Sequence, residues 1–355
     1  MVRPLLLVLC LVLPALAGCS SIGPATVSRD RLDYAAALAE AAKRETLLNI
    51  VKLRYADALS LITVSQLVAG YTLEGRVDLR SDFFRNTWSL SDDLAFGVGG
   101  TFSDRPTATY APIRGDDFAR LMLTPIPPSE LFAMLATGAP AALTLGLGVQ
   151  SINGLRNWTA ESRGTMRVEA AFVEVLQLLE ELRDEGIVGF GFEAEGDHRI
   201  AYLLLEEEGD RSRDRRAARL LELLDLDPAR TSFPIRFGFG SGRPDEIRIY
   251  TRSLLEILDN LAAQVEVPGA DVAAGRTYPT ETSPAELALL PNLSVRSREV
   301  KPFGAFVAVE YRGTWYWIDD RNYRAKHVFS VLLLLLNLVD KSGAVQLPVI
   351  TIPTG

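Results

Sequence analysis

Three times in its second half the chain repeats one pattern: two short β-prone runs joined by turn residues, then a run with helical periodicity. A unit of that kind cannot bury its apolar faces alone, so the recurrence demands an α+β fold in which helices cover sheets. Gly189–Glu193 and Arg199–Glu206 flank Gly196-Asp197 and precede Arg211–Leu224. Phe233–Phe239 and Glu246–Thr251 flank Gly240–Pro244 and precede Ser253–Val265. Ala305–Tyr311 and Thr314–Ile318 flank Arg312-Gly313 and precede Tyr323–Val339. The three share a pattern without residue identity, so the expected repeat is architectural: ββα-like units in a C-terminal domain over 187–355.

Upstream, Tyr34, Leu38, Ala41, Leu48, Val51 and Tyr55 recur at helical spacing with Lys43, Arg44, Lys52 and Arg54 between them, which predicts an amphipathic helix. Leu61–Leu79 and Leu94–Tyr110 are rich in Val, Thr, Phe and Gly and read as strands. A helix from Asp116 should break at Thr124-Pro-Ile-Pro-Pro128 and resume over Ser129–Ala136, and Ala141–Val149 reads as a further strand. These form an N-terminal region over 31–160. Arg163–Glu185, with one stripe of Val168, Phe172, Val175, Leu176, Leu179 and Leu182, is expected as a helix linking two halves over 161–186. The connection 268–304 is far longer than an ordinary loop and is expected to serve a partner or act as a lid, chiefly through Gly269–Thr282. Within it Ser283-Pro284-Ala285-Glu286 has the spacing of a capping box opening a short helix.

The chain begins with Arg3, an apolar run Leu5–Leu13 and small residues up to Leu16-Ala17-Gly18-Cys19. That tetrapeptide resembles the lipobox of bacterial lipoprotein precursors. The resemblance implies a signal peptide over 1–18, cleavage before Cys19, acylation of Cys19, and attachment to a membrane through that lipid. Ser20 in the next position favours, by the same resemblance, the outer membrane facing the periplasm over the inner membrane. Two or more acyl chains hold a protein stably at a bilayer, and small, polar or helix-breaking residues over 19–30 suit a flexible tether. Leu47–Tyr55 and Leu123–Leu131 also look like stretches of functionally unassigned predicted bacterial lipoproteins, a resemblance that brings no site with it.

Cys10 falls in the expected signal and Cys19 at the expected lipid site, which leaves no thiol for a disulfide, a metal or a nucleophile. With His198 and His327 as its two histidines, the chain offers no zinc pattern, and neither a phosphate loop nor a complete G-x-G-x-x-G is present, so no cofactor and no metal are expected. The formal net charge of −8 argues against nucleic acid as a partner. Arg211, Arg213, Arg215, Arg216 and Arg219 alternate with acids and read as a solvated helix face.

The third hairpin holds the most suggestive constellation. A two-residue turn at Arg312-Gly313 places Phe306, Ala308, Glu310, Trp315, Trp317 and Asp319 on one face, and Val307, Val309, Tyr311, Tyr316 and Ile318 on the other. Trp315 and Trp317 beside Glu310 and Asp319 could stack on a sugar ring, or pack beneath the Leu-rich helix that follows; packing is the expected outcome. Asp319 and Asp320 are expected to cap that helix, and Phe329–Val339 to be buried on all sides. Alternating glycines at 189, 191, 238, 240 and 242 should admit a helix to one sheet face while Phe190, Phe192, Phe237 and Phe239 fill the other. The resulting expectation is a membrane-anchored, non-enzymatic envelope component that binds or scaffolds other proteins, with a glycan-binding or glycan-cleaving protein as the alternative.

Overall fold

The computed structural model describes residues 22–68, 71–82, 93–104, 107–160, 166–196, 198–206, 214–279 and 291–339. The expected signal, Cys19 and the capping box Ser283–Glu286 lie outside them. The chain divides into two compact units, one comprising residues up to Ala39 with Leu61–Pro112, the other Glu40–Ser60 with Ile113 onward.

In the smaller unit, β2 (Tyr71–Asp82) and β3 (Asp93–Asp104) pair antiparallel along their whole length, from Tyr71↔Asp104 to Asp82↔Asp93. β1 (Ile62–Val68) pairs antiparallel with β4 (Thr107–Pro112), so the chain enters and leaves this region side by side at Ile62↔Pro112. α1 runs from Ile22 to Arg54 and supplies its last turns to the larger unit. The expected tether is therefore helical from Ile22. Pro24 is tolerated there because it stands in the first turn, where a missing N–H costs no helical bond.

The larger unit is α+β. α2 (Asp116–Leu123) and α3 (Pro128–Ala136) flank the proline-rich break as the sequence predicts, with Pro128 opening α3. Ala141–Val149 differs from expectation: Ala141–Gly148 is helix α4, and the strand β5 is Val149–Ile152. The two glycines are there for packing, since a Cβ on Gly148 would lie 2.8 Å from Leu131 and one on Gly146 3.0 Å from Pro291. α5 (Ala170–Asp184) begins later than the expected Arg163, since Met166–Arg167 is a short strand, β8, paired with β7 (Thr159–Ala160). It packs on α4 within this unit and buries Phe172, Val175, Leu176, Leu179 and Leu182, while Val168 of the predicted stripe precedes the helix and is half-buried.

A six-stranded sheet runs in the order β6 (Leu155–Arg156), β5, β12 (Ile247–Thr251), β11 (Ser232–Phe237), β10 (His198–Leu205), β9 (Val188–Glu195). The first repeat unit is the expected hairpin plus helix: β9 and β10 pair antiparallel, and α6 (Arg215–Leu223) follows, capped by the Asp214 carboxylate accepting from Arg216 N at 2.8 Å. The second keeps its helix, α7 (Leu254–Ala262), but is not a hairpin. β11 and β12 are parallel, Ile235↔Ile247 to Phe237↔Ile249, because Gly238–Glu246 returns the chain to the starting end of a very short strand. The glycine expectation is reversed as well. Phe190 and Phe192 pair with Leu203 and Ala201 on the side reached by α3, where Phe132 meets Phe190 at 5.3 Å, while Leu204 fills the space over Gly191 on the other face.

The third unit forms a separate sheet, β13 (Arg296–Arg298), β15 (Thr314–Asp319), β14 (Ala305–Tyr311). Arg312 and Gly313 both have positive φ (53° and 79°), the turn that matches strand twist in a two-residue hairpin. Val307, Val309, Tyr316 and Ile318 form the buried face. α9 (Tyr323–Val339) follows and is amphipathic, not buried all round: Leu332 and Leu335 are fully buried and Leu334 is 57% exposed. Its N-cap is Asn322, whose side chain accepts from Ala325 N at 3.1 Å, instead of the expected Asp319 or Asp320. Asp319 instead accepts from Arg321 N at 3.0 Å, and Asp320 pairs with Lys326 at 3.1 Å.

Candidate functional site

The hairpin is fixed from below by a buried polar hub. Tyr55, just past the end of α1, donates its hydroxyl proton to Asp271 Oδ2 at 2.6 Å and lies 2.6 Å from the Tyr316 hydroxyl. With its one proton committed to a carboxylate, Tyr55 accepts from Tyr316. Burial, then the bond to Asp271, holds the Tyr55 hydroxyl far above the usual phenol range, and burial raises Tyr316 too. Asp271, bonded to Tyr55 and then to Arg276, is held below the usual carboxylate range. Arg54, which the helical pattern places among solvent-facing charges, is 1% exposed. Its guanidinium donates to the carbonyls of Ala263 (3.2 Å) and Tyr278 (2.8 Å) and stacks 3.9 Å over the Tyr278 ring. Thr277 Oγ1 donates to the Arg54 carbonyl at 2.7 Å.

These bonds change the reading of the long connection. Gly269–Ala273 is the short helix α8, and residues 277 and 278 are fastened to α1, so the segment expected as a lid is a brace over its described part. Tyr311 completes the brace by donating to Asp57 Oδ2 at 2.8 Å.

Above the hub, Glu310, Trp315, Trp317 and Asp319 share one face as the alternation predicts, with Glu310 opposite Trp315. Both indoles are half-buried. Packing beneath the Leu-rich helix, the expected outcome for them, is not what the fold shows, because the buried side of the hairpin is the opposite one. Phe306 leaves their face: a register shift between Ala305 and Val307 turns it onto Phe329 of α9, ring centroids 6.2 Å apart. The indoles instead lie beneath cations, Arg298 at 5.0 Å from Trp317 and Lys301 at 5.3 Å from Trp315. Asp319 is engaged by Arg321 at 3.2 Å, which holds its carboxyl below the usual range.

The structure adds an aromatic cluster, a buried arginine and a cleft. Phe237 and Phe239, expected to fill a sheet face, are instead 51% and 76% exposed and close around Tyr250 at centroid distances of 5.3 and 6.0 Å, an aromatic cluster at the end of the six-stranded sheet. Arg252 is fully buried behind α4, donating to the Gly146 (3.3 Å), Leu147 (3.2 Å) and Trp158 carbonyls, and burial pushes it down to about 10. It closes the C-terminal end of α4, where helix carbonyls lack partners and a cation is favoured. Beside it a cleft of about 170 Å³ is lined by Trp158, Phe172, Leu176 and Pro291, with Asn157 and Arg324 among its polar walls. No sequence signal announces the buried arginine or the cleft, since each joins residues far apart in the chain; the cluster is local, and alternation alone does not show that its rings stay exposed.

His327 stacks on Tyr323 at 5.7 Å, and no group of three His, Cys, Asp or Glu side chains placed to hold a metal occurs among the described residues. No described helix is long and apolar enough to cross a membrane. No protein-family model, no curated protein and no solved structure matches this chain.

Proposed function

We propose that this chain is a lipid-anchored envelope protein, held to the periplasmic face of the outer membrane through Cys19, that binds and scaffolds other proteins. The observation behind the binding role is the Phe237, Phe239, Tyr250 cluster: two phenylalanines more than half exposed, fixed in ring-to-ring contact on a rigid sheet end. Rigid exposed aromatic groups are the material of interface hot spots, and they bury large area on binding at low entropic cost. The anchor rests on the lipobox resemblance alone.

The glycan alternative retains Trp315, Trp317, Glu310 and Asp319 on one face. A stacking sugar would have to displace Arg298 and Lys301 from the indoles, and Asp319 is already taken by Arg321.

One experiment tests both parts of the proposal. Cells fed a clickable fatty acid express a tagged chain, its Cys19→Ala variant, or its Phe237→Ser, Phe239→Ser double variant, and each is purified from detergent-solubilised membranes. Acyl label should depend on Cys19, and a stoichiometric co-purifying protein should be lost from the double variant. Label on Cys19→Ala would overturn the anchor; undiminished partner recovery by the double variant would overturn the binding role.

A further inference from the structure

The loop between β13 and β14 presents two apolar side chains to solvent and is built not to move. Val300 is 71% exposed and Phe303 102% exposed, yet Pro302 between them is buried. The Arg298 guanidinium donates to the Lys301 carbonyl at 2.9 Å, Gly304 takes a φ of +69° that L side chains rarely adopt, and its carbonyl accepts from Asp320 N at 3.3 Å. Single exposed apolar residues need no explanation, but two held at the tip of one fastened loop amount to a built surface.

What lies behind the tip identifies the surface it fits. Arg298 and Lys301 flank Val300, and neither makes an ion pair with a carboxylate among the described residues; Arg296 stands opposite Trp317 on the same sheet. Glu299 is the one acid within the loop. The cations lie over Trp315 and Trp317, so the exposed apolar pair adjoins cations that are backed by indoles. A bilayer interface takes all three groups: the acyl boundary takes apolar side chains, headgroup phosphates take Lys and Arg, and indoles favour the headgroup level.

We propose that the Val300–Phe303 loop seats the folded domain on an anionic phospholipid surface, with Val300 and Phe303 entering the acyl boundary while Arg298 and Lys301 engage phosphates. This contact goes beyond the lipid on Cys19 and does not depend on it. It sets the orientation in which an anchored domain meets the bilayer.

The test uses the chain freed of residues 1–18 and bearing Cys19→Ser, so that no acyl group assists. It is floated with vesicles of phosphatidylcholine alone or of phosphatidylcholine with phosphatidylglycerol, the latter also with brominated acyl chains to quench tryptophan. Binding is expected on the anionic vesicles, with quenching, and should weaken with salt. Arg298→Ala and Lys301→Ala should each weaken it roughly fivefold, and Val300→Ser with Phe303→Ser should abolish it while unfolding curves stay unchanged. No flotation with anionic vesicles, or undiminished flotation of the Val300, Phe303 variant, overturns the proposal. So does a loop variant that still floats but no longer recovers the co-purifying protein, since the loop would then be a protein contact. Loss of partner recovery through Phe237 and Phe239 leaves vesicle binding untouched, so the two readings fail separately.

Discussion

At the scale of single residues, Tyr55 has the most consequences. Its hydroxyl links the end of α1 to α8 through Asp271 and to the hairpin through Tyr316. Tyr55→Phe leaves both partners in place and removes the oxygen between them, so the expected loss is about 1–3 kcal/mol, the usual result of orphaning buried polar groups. The loss depends on pH with a definite sign. Because Asp271 is held below its unfolded value by Tyr55 first, its contribution is full above the ordinary carboxylate range and is lost as pH falls through the depressed folded value. Without the hydroxyl that value rises toward normal. Urea midpoints of the two proteins should therefore differ most near neutrality and converge in acid; a difference independent of pH would mean that the Tyr55–Asp271 bond contributes nothing.

At the scale of elements, α4 shows where local sequence and fold part company. A short apolar run with two glycines fits strand and helix equally well by periodicity. What decides is tertiary: Arg252 closes the helix end on its carbonyls, and the glycines admit Leu131 and Pro291. Gly148→Ala should accordingly destabilise the protein by about 1–3 kcal/mol through overpacking against buried Leu131, although alanine is the better helix former by about 1 kcal/mol. A raised thermal midpoint for Gly148→Ala would show that Leu131 yields freely. The same contrast separates what was legible in the sequence from what was not. Long stripes such as Phe172–Leu182, the Pro-rich break before α3 and the Arg312-Gly313 turn are local signals, and the fold follows them. The parallel pairing of β11 and β12 is set by strand order, and the hub joins residues as much as 261 positions apart. Face assignment on the hairpin followed from alternation and placed Trp315 and Trp317 together. Which face is buried did not, because that depends on where α1 delivers Tyr55.

At the scale of the whole molecule, the chain path makes the Leu61–Pro112 part of the smaller unit an insertion. The larger unit contains Glu40–Ser60 and resumes at Ile113, and everything between those two stretches belongs to the smaller one, as do the residues up to Ala39. Ile62 pairs with Pro112, so the two crossing points are neighbouring strand ends, about 5 Å apart at the Cα positions of an antiparallel pair. Closing a gap of that width needs only a few residues, and a short loop costs little entropy. The larger unit also holds both partners of the hub bonds among Arg54, Tyr55, Asp271, Tyr278 and Tyr316, and the whole of the six-stranded sheet. It has what an independent core requires. Replacing residues 62–112 by a Gly-Gly-Ser link should therefore leave a cooperatively folding protein with native near-ultraviolet circular dichroism from its buried tyrosines and Trp158. Its urea transition should still respond to Tyr55→Phe. A broad, non-cooperative transition in the excised protein, or a transition indifferent to Tyr55→Phe, would show that the larger unit does not fold alone.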